Sequence, residues 1–510
     1  MGYVIEMLNI TKDFPGILAN DNVTLQVQKG EIHALLGENG AGKSTLMSIL
    51  FGLYQPNSGT ILVNGKEVEI KSPNDANDLH IGMVHQHFKL VHNFTVAENI
   101  VLGMEDTKNG FLKMDHAIQK IQALSDQFNF NLNPNDIISE ISVGMQQRVE
   151  ILKMLYRNAE IMIFDEPTAV LTPQEIEELI HIMKNLVKEG KSIVLITHKL
   201  KEIKAVADRC SVLRKGKYIG TVDVKTTNIE QMAEMMVGRK VLFDIPKSPI
   251  HLGKTVLSVR NLNMTNKDGK QVLKDVSFDV KAGEILCIAG IEGNGQTQLV
   301  EALSGLNPHY TGTIILHGNE ISKASIRHRT TSGIGHIPED RHKHGLVLDF
   351  TLAENMILQS YFDEEFQHHG FLKFENISSH TNDLIERFDV RSGKGEKTMA
   401  RSMSGGNQQK AIVAREFDRN PDLMIAVQPT RGLDVGAIEY IHKQLISIRD
   451  QNKAVLLVSL ELDEVMGISD RIIVMYEGEL VASVHPDKVT ENELGLYMSG
   501  SKRGEINEVV

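Results

Sequence analysis

One nine-residue stretch, Gly37-Glu-Asn-Gly-Ala-Gly-Lys-Ser-Thr45, constrains the fold of this chain more than any other. It follows the apolar run 32–36 and precedes a second apolar run, 46–50. A strand, a glycine-rich turn and a helix in this order are typical of a phosphate-binding loop, because the glycines let successive backbone N–H groups face one point. The sequence therefore predicts an α/β fold that binds an oligophosphate here.

Two side chains of this loop have predicted roles. Lys43 is placed to reach the β- and γ-phosphates as a point charge, and the Ser44 hydroxyl is placed to hold Mg²⁺. A glycine-rich turn with a surface lysine gives the same pattern, so the interpretation depends on partners further along the chain. The expected nucleotide contacts of the loop are Gly37, Glu38, Asn39, Gly40, Ala41, Gly42, Lys43, Ser44 and Thr45.

The chain repeats this pattern. Residues 30–37 read Gly-Glu-Ile-His-Ala-Leu-Leu-Gly, and residues 283–290 read Gly-Glu-Ile-Leu-Cys-Ile-Ala-Gly, so the chain is a tandem duplication. Its 510 residues also exceed what one hydrophobic core normally serves. We predict two P-loop domains, each with a mostly parallel core sheet, an antiparallel β subdomain and a helical subdomain. Their expected bounds are 1–239 and 255–500, with a linker at 240–254 and a flexible tail at 501–510.

The offset between the copies is not constant. It is 253 residues for the pair Gln86 and Glu339 and 262 residues for the pair Ser142 and Ser404. The second copy therefore carries nine extra residues between these points. We expect them near 367–370 or 392–395, in a peripheral subdomain.

The composition excludes several classes of protein. A net charge of −12 without a basic tract argues against nucleic-acid binding. Only Cys210 and Cys287 occur, both in apolar segments, so a disulfide framework is not expected and a reducing compartment fits. No apolar run approaches the roughly 20 residues that cross a bilayer, and the N-terminus lacks a signal pattern. Any membrane role therefore comes through a partner.

Polar side chains follow several predicted strands. The strand from Ile161 ends in Asp165 and Glu166, and His198 directly follows the strand 192–197. At the carboxyl edge of a parallel sheet, Asp165 can bind Mg²⁺ and Glu166 can orient or deprotonate an attacking water. His198 suits a hydrogen bond to the γ-phosphate, and Gln86 can touch Mg²⁺ or the water. The expected catalytic residues are Glu166, His198, Lys43 and Gln86, and the expected metal ligands are Ser44, Gln86 and Asp165.

Together these motifs resemble an ABC ATPase, and the resemblance covers nearly the whole chain twice. It implies ATP and Mg²⁺ as cofactors, with the Gly37 loop as Walker A, Asp165 and Glu166 as Walker B with the catalytic glutamate, and His198 as the switch histidine. Gln86 becomes the Q-loop residue, and Phe14 takes the place of the aromatic that stacks on adenine. In such ATPases, a helical lobe presents a Leu-Ser-Gly-Gly-Gln signature to nucleotide held by the opposite domain.

The two copies differ in their signatures. The first reads Ile141-Ser-Val-Gly-Met145, with one glycine lost, whereas the second reads Met403-Ser-Gly-Gly-Asn407. The second signature therefore matches the family pattern better. Its expected contacts with nucleotide are Ser404, Gly405, Gly406 and Asn407.

The second copy has lost the residues that the first copy keeps, and it keeps the signature that the first copy has lost in part. Gln296 replaces the Walker A lysine, Val427 and Gln428 replace both Walker B carboxylates, and Leu460 replaces the histidine. We therefore expect an ABC dimer within one chain, in which the first Walker A and the second signature form one competent site. The other site, degenerate and non-hydrolytic, is expected to comprise Gly290, Gly293, Gly295, Gln296, Thr297, Ser142 and Gly144.

Among ABC proteins, the second half, with Pro338-Glu-Asp-Arg341 and the segment 428–437, resembles the ATP-binding subunit of importers for simple sugars and nucleosides. The segments 142–153 and 164–175 resemble the nucleoside branch most. This resemblance implies two membrane permease subunits, an extracytoplasmic solute-binding (lipo)protein, and a peripheral position at the cytoplasmic face of the cell membrane. Two other classes of tandem ABC protein do not fit this sequence. Translation-factor ATPases would need two competent sites, and DNA-repair ATPases would need zinc-binding cysteine pairs, and the sequence has neither. The same role for ribose, galactose or xylose, and a non-transport regulatory ABC ATPase, remain alternatives.

Overall fold

The structure is a computed structural model that describes residues 2–15, 17–85, 88–105, 107–108, 111–168, 171, 173–241, 245–266 and 268–505. The chain divides into two compact units, residues 1–241 and 242–510. Within the described residues, no helix combines the length and the apolar character that a membrane span requires.

The first unit contains two main sheets and a short hairpin. Its strands are β1 (Tyr3–Phe14), β2 (Ile17–Gln28), β3 (Ile32–Gly37), β4 (Ser58–Val63), β5 (Lys66–Val68), β6 (Ile81–Val84), β7 (Thr107–Lys108), β8 (Phe111–Leu112), β9 (Ile161–Asp165), β10 (Ser192–Thr197), β11 (Arg209–Arg214) and β12 (Lys217–Asp223). One sheet has the order β12-β11-β3-β10-β9-β6 and is parallel except for β12. The other, β2-β1-β4-β5, is antiparallel. The hairpin pairs β7 with β8.

Helices cover the parallel sheet, which explains why β3, β9 and β10 are buried along their whole length. The helices of this unit are α1 (Lys43–Leu50), α2 (Pro73–Asp78), α3 (Val96–Val101), α4 (Met114–Gln127), α5 (Val143–Tyr156), α6 (Pro173–Lys188), α7 (Leu200–Val206) and α8 (Ile229–Val237). The sequence predicts a helical lobe from about residue 112 to 158, and the helices α4 and α5 fall within it. The sequence Thr172-Pro-Gln-Glu175 predicts that Thr172 caps α6, but Thr172 lies outside the described residues.

The second unit repeats this plan. Its strands are β13 (Thr255–Thr265), β14 (Gln271–Lys281), β15 (Glu284–Ala289), β16 (Thr311–Leu316), β17 (Asn319–Glu320), β18 (Ile334–Ile337), β19 (Gln367–His368), β20 (Phe371–Leu372), β21 (Leu423–Val427), β22 (Ala454–Ser459), β23 (Arg471–Tyr476) and β24 (Glu479–Val484). The sheet orders β18-β21-β22-β15-β23-β24 and β14-β13-β16-β17 match those of the first unit.

The helices of the second unit also occur in the same order. They are α9 (Gln296–Ser304), α10 (Ile326–Thr331), α11 (Leu352–Met356), α12 (Phe374–Arg387), α13 (Gly405–Asp418), α14 (Val435–Asp450), α15 (Leu462–Ile468) and α16 (Glu491–Met498). A π-helical turn, Arg341–Gly345, lies between β18 and α11.

Equivalent helices show where the nine extra residues of the second copy lie. The offset has grown to 256 residues at the helix caps Thr95 and Thr351, and to 260 at the helix starts Met114 and Phe374. The insertion is therefore divided among the π-helical turn, the segment 357–373 and the segment before α13. The two expected locations account for part of it, and the π-helical turn was not anticipated.

Residues of the segments predicted as a linker and a tail form hydrogen bonds within the second unit. Lys247 Nζ donates to Ser469 O at 2.8 Å, and Ser248 Oγ donates to Asp450 Oδ2 at 2.9 Å. Gly504 N donates to Val481 O at 2.9 Å, so the first residues of the expected flexible tail pair with β24. Residues 506–510 lie outside the described part of the chain.

Candidate functional site

The first phosphate loop lies between β3 and α1 and is held from two sides. Asn20 Nδ2, on β2, donates to Gly42 O at 3.1 Å, and Gly216 N donates to Ala41 O at 3.2 Å. Gly42 has a φ of 96°, and a Cβ there would lie 2.3 Å from the Ala19 carbonyl oxygen. Only glycine fits this position, because both the backbone conformation and the close approach exclude a side chain.

Lys43 crosses this loop and is only 5% exposed. Its Nζ donates to Gly37 O at 2.7 Å and to Glu38 O at 3.1 Å. These two carbonyl groups hold the ammonium at the concave side of the loop, where it can meet an anionic phosphate. The Lys43 ammonium therefore lies against the first two carbonyl groups of the predicted loop.

The end of β9 brings a carboxylate to the start of α1. Ser44 Oγ donates to Asp165 Oδ1 at 3.4 Å. Burial, together with the adjacent charge of Glu166, raises the pKa of Asp165 to about 6. Hydroxyl and carboxylate oxygens are the ligands that Mg²⁺ prefers, and a cation bound here would offset the free-energy cost of burying the Asp165 charge. These residues therefore fit the Mg²⁺ that the family resemblance implies.

The next residue supplies a second carboxylate in a different setting. Glu166 has a φ of 45°, and its Oε1 lies 3.0 Å from Nδ1 of His198. Burial opposes ionisation of Glu166, but the hydrogen bond from His198 and the nearby positive charges outweigh it, so the pKa of Glu166 is lowered. Glu166 is therefore held ionised, as a general base requires, and its unusual backbone conformation is consistent with a functional position.

The structure leaves one expected site residue undescribed and adds an aromatic neighbour to another. Gln86 lies outside the described residues. Phe14 packs edge-to-face on Tyr54, with ring centroids 5.3 Å apart, and Tyr54 is 45% exposed. Tyr54 was not among the predicted residues, because nothing in the local sequence links it to the distant Phe14.

Two buried polar residues that sequence reasoning missed support this site. Asn20 anchors the phosphate loop and is fully buried. Glu150, on α5, accepts from Lys89 N at 2.7 Å, which ties the chain just after Gln86 to the helix that begins at the first signature. Burial raises the pKa of Glu150. Neither residue belongs to a motif, and the only available signal was a polar residue within an apolar pattern.

The second phosphate loop keeps the shape of the first but not its charge. Gln296 is 5% exposed, and its Nε2 donates to Ile291 O at 3.3 Å, in the manner of the Lys43 ammonium. Gln428 keeps the left-handed backbone of Glu166, with a φ of 43°. Its Nε2 donates to Glu339 Oε1 at 2.7 Å. This half therefore retains the geometry of a phosphate site without the lysine or the general base.

The two signature helices begin differently. Ser142 Oγ accepts from Met145 N at 3.2 Å and so caps α5. Ser404 Oγ instead accepts from Asn407 Nδ2 at 2.9 Å, and α13 has no side-chain cap bond among the described residues. The first amides of α13 are thus free of a competing side-chain acceptor, which suits a helix start that receives a phosphate. Gly144, in contrast, is buried against Glu175.

Similarity to known proteins identifies the family of this chain. Residues 20–169 and 273–431 match the protein family described as ABC transporter. The chain is 59% identical over 508 residues to the guanosine import ATP-binding protein NupO of Bacillus subtilis (strain 168), covering 100% of this chain and 99% of that protein. The chain belongs to the ABC transporter family. The predicted tandem ABC ATPase fold is confirmed.

Two further ABC relatives match over nearly their full length. The nucleoside import ATP-binding protein NupA of Lactococcus lactis subsp. cremoris is 55% identical over 505 residues, with 99% of each chain covered. The glucose import ATP-binding protein TsgD13 of Haloferax volcanii is 42% identical over 526 residues, covering 97% of this chain and 96% of that protein. These matches confirm the prediction, made from the sequence motifs, that the chain is an ABC ATPase that binds ATP.

Proposed function

We propose that this chain is the ATP-hydrolysing subunit that energises an importer of nucleosides. The observation that carries the hydrolytic role is the position of the Glu166 carboxylate. Its Oε1 lies 3.0 Å from His198 Nδ1, and the preceding residue, Asp165, accepts a hydrogen bond from Ser44. The two relatives above that are at least 55% identical are named for guanosine and nucleoside import, and the relative named for glucose import is 42% identical. These similarities favour nucleosides over simple sugars as the solute.

Hydrolysis in this proposal takes place at one composite site within the chain. The loop around Lys43 binds the phosphates, and the start of α13 at Ser404, Gly405, Gly406 and Asn407 completes the site from the other half. Glu166 accepts the proton of the attacking water, and His198 keeps its carboxylate ionised and oriented. When bound to Ser44 and Asp165, Mg²⁺ supplies positive charge that stabilises the reacting phosphates. Gln86 remains the proposed Q-loop ligand.

The second site is proposed to be structural. Gly290, Gly293, Gly295, Gln296 and Thr297 supply a phosphate loop, and Ser142 and Gly144 belong to its altered signature. Gln428 cannot accept a proton from water as a carboxylate does, so nucleotide held there is not hydrolysed by this mechanism.

The proposed partners are two membrane permease subunits and an extracytoplasmic solute-binding (lipo)protein. The chain is proposed to lie peripherally at the cytoplasmic face of the cell membrane, held there by the permeases. The names of the relatives as import ATP-binding proteins support this arrangement.

Uptake assays test the proposal. Cells with and without this chain are given labelled guanosine, other nucleosides, ribose, galactose and xylose, and detergent extracts are tested for co-purifying permease. We expect chain-dependent uptake of nucleosides alone, and its loss with Glu166→Gln. Uptake of sugars alone would transfer the proposal to a sugar importer, and the absence of both uptake and permease would favour a regulatory ATPase.

A further inference from the structure

We propose that Tyr54 is a positioning residue of the first nucleotide site, and that it fixes the Phe14 ring as the stacking surface for the base of ATP. The first half then selects its nucleotide by the base as well as by the phosphates. This role rests on the proposed function, in which the first site binds ATP with its base on Phe14. It adds to that function a second aromatic residue, from a distant part of the sequence.

The Phe14 ring is held by two neighbouring side chains. Its centroid lies 5.3 Å from that of Tyr54, with an angle of 77° between the ring planes. Paired aromatic rings favour this edge-to-face arrangement. Lys12 Nζ also lies over the Phe14 ring, 5.2 Å from its centroid. A half-buried phenylalanine at the end of a strand has few other restraints on its second torsion angle, so these neighbours fix the plane that a base would meet.

Backbone contacts hold the two rings in place relative to the phosphate loop. Tyr54 follows α1, the helix that starts in this loop, and its N donates to Ser48 O at 3.3 Å. Asn57, on the same turn, accepts at Oδ1 from Asp13 N at 3.0 Å. The end of β1 is thus tied to the turn after α1. One short helix therefore sets the spacing between the phosphate loop and the pair of rings.

The second half has asparagine at the position of the first ring. Phe14 pairs with Ile17 across the first hairpin. At the equivalent place in the second hairpin, Asn266 N donates to Lys270 O at 2.9 Å. Asn266 Oδ1 accepts from Asp268 N at 3.0 Å and from Lys270 N at 2.9 Å. This side chain therefore closes its own turn and offers no stacking surface.

The position of the second ring is also an asparagine. Asn307 N donates to Glu301 O at 3.1 Å, which is the bond that Tyr54 N makes with Ser48 O in the first half. Asn307 Oδ1 accepts from His309 N at 3.0 Å. The two rings of the first half are thus replaced together in the second.

This joint replacement distinguishes a role in binding from a role in folding. The second unit keeps the hairpin of β13 and β14 and the helix α9 without either ring. The rings are therefore not needed to build this part of the fold. They occur in the half that keeps Lys43 and Glu166, and both are replaced in the half that lacks these groups. A two-ring platform for the hydrolysed nucleotide accounts for this distribution.

Equilibrium binding of labelled ATP to the full chain tests this role, because the measurement does not depend on hydrolysis. The first-site part of the binding is the part that Lys43→Ala removes. Tyr54→Asn removes the ring, and Tyr54→Phe keeps it. The matched control is Leu53→Asn, which removes a neighbouring apolar side chain that is 47% exposed, against 45% for Tyr54. Inorganic tripolyphosphate, a ligand without a base, is the competitor, and thermal unfolding verifies that each variant folds.

We expect Tyr54→Asn to weaken first-site ATP binding about 2- to 12-fold, the range that an aromatic pair contributes, and Tyr54→Phe and Leu53→Asn to stay within about twofold. Phe14→Asn should weaken it at least about fivefold, because the base loses its stacking partner. In the Phe14→Asn chain, adding Tyr54→Asn should have no further effect, since Tyr54 acts through the missing ring. The Ki of tripolyphosphate should not change in any of these variants.

Unchanged ATP affinity in Tyr54→Asn or in Phe14→Asn overturns the assignment. Equal weakening of ATP and tripolyphosphate also overturns it, because such a result indicates a general disturbance of the site. Additive effects of the two substitutions would mean that Tyr54 does not act through Phe14, which contradicts the assignment as well. Phosphate release by the unmodified chain is measured in parallel and reports separately on the proposed function.

Discussion

Replacing Glu166 by glutamine tests the division of labour between the two halves. The amide keeps the size of the side chain and can still accept the hydrogen bond that now links Oε1 to His198 Nδ1 at 3.0 Å. It removes the negative charge next to Asp165, which is one cause of the raised Asp165 pKa. ATP binding should therefore persist, and only proton acceptance from water should be lost.

The size of the effect follows from the role assigned to Glu166. A positioned general base contributes roughly 10²- to 10⁴-fold to a reaction. This corresponds to about 3–5 kcal/mol of transition-state stabilisation. We therefore expect the kcat for ATP hydrolysis to fall at least 100-fold in Glu166→Gln, or about 3 kcal/mol, with the Kd for ATP nearly unchanged.

The matched variant is Gln428→Glu, at the equivalent position of the second half. Here the new carboxylate would face Glu339, whose Oε1 now accepts from Gln428 at 2.7 Å. Two such charges about 4 Å apart repel by about 4 kcal/mol near a protein surface. Arg431, 3.0 Å from Glu339, offsets part of this. The pair would share a proton and would not form a base, so hydrolysis should stay within about twofold of the unmodified chain.

Steady-state phosphate release by the purified chain, alone and with its permease in detergent, measures both variants. Equilibrium binding of labelled ATP serves as the control for retained binding. If Glu166→Gln keeps more than a tenth of the activity, or if Gln428→Glu restores activity to it, the asymmetry argued here is refuted.

Three further predictions concern other residues. Ser404→Arg should lower the rate of ATP hydrolysis at least tenfold, because the new side chain blocks the uncapped start of α13. This corresponds to about 1.4 kcal/mol or more of transition-state stabilisation. The control variant Ser142→Arg should have little effect on phosphate release. Asn20→Leu should destabilise the first unit by about 1–3 kcal/mol in urea unfolding, since the Gly42 carbonyl loses a buried partner. Burial lowers the pKa of His336 to about 4. The unfolded chain binds a proton at His336 below about pH 6.5, whereas the folded chain does so only near pH 4. The free energy of unfolding should therefore fall as the pH drops from about 6.5 towards 4, and less steeply in His336→Asn.

The sequence predicted the elements that local pattern controls. The glycine loop before Lys43, the apolar strand ending at Asp165, and the strand before His198 all occur where the pattern indicated. These features depend on spacing within a few residues, on continuous burial of parallel strands and on glycine conformations. Because the chain is a duplication, the fold of the second half could be predicted from the first. The substitutions at equivalent motif positions then indicated which catalytic groups the second half lacks.

Contacts between distant segments could not be predicted in the same way. The bond from Asn20 to the phosphate loop joins residues 22 positions apart, and the contact between Gln428 and Glu339 spans 89 positions. Such partners depend on how the sheets and loops pack. For the same reason, the part of the insertion that forms the turn at Arg341 was placed elsewhere, and the hydrogen bond that ties Gly504 to β24 was missed.

Cross-linking across the proposed composite site tests the central claim most directly. Asn39→Cys and Ser404→Cys are combined in the Glu166→Gln chain, and a short bismaleimide is added with ATP and Mg²⁺ at low protein concentration. The native Cys210 and Cys287 are buried and should not react. We predict an ATP-dependent cross-link within one chain, and none when Ser142→Cys replaces Ser404→Cys. A link formed only between chains, or only with Ser142→Cys, would contradict the account.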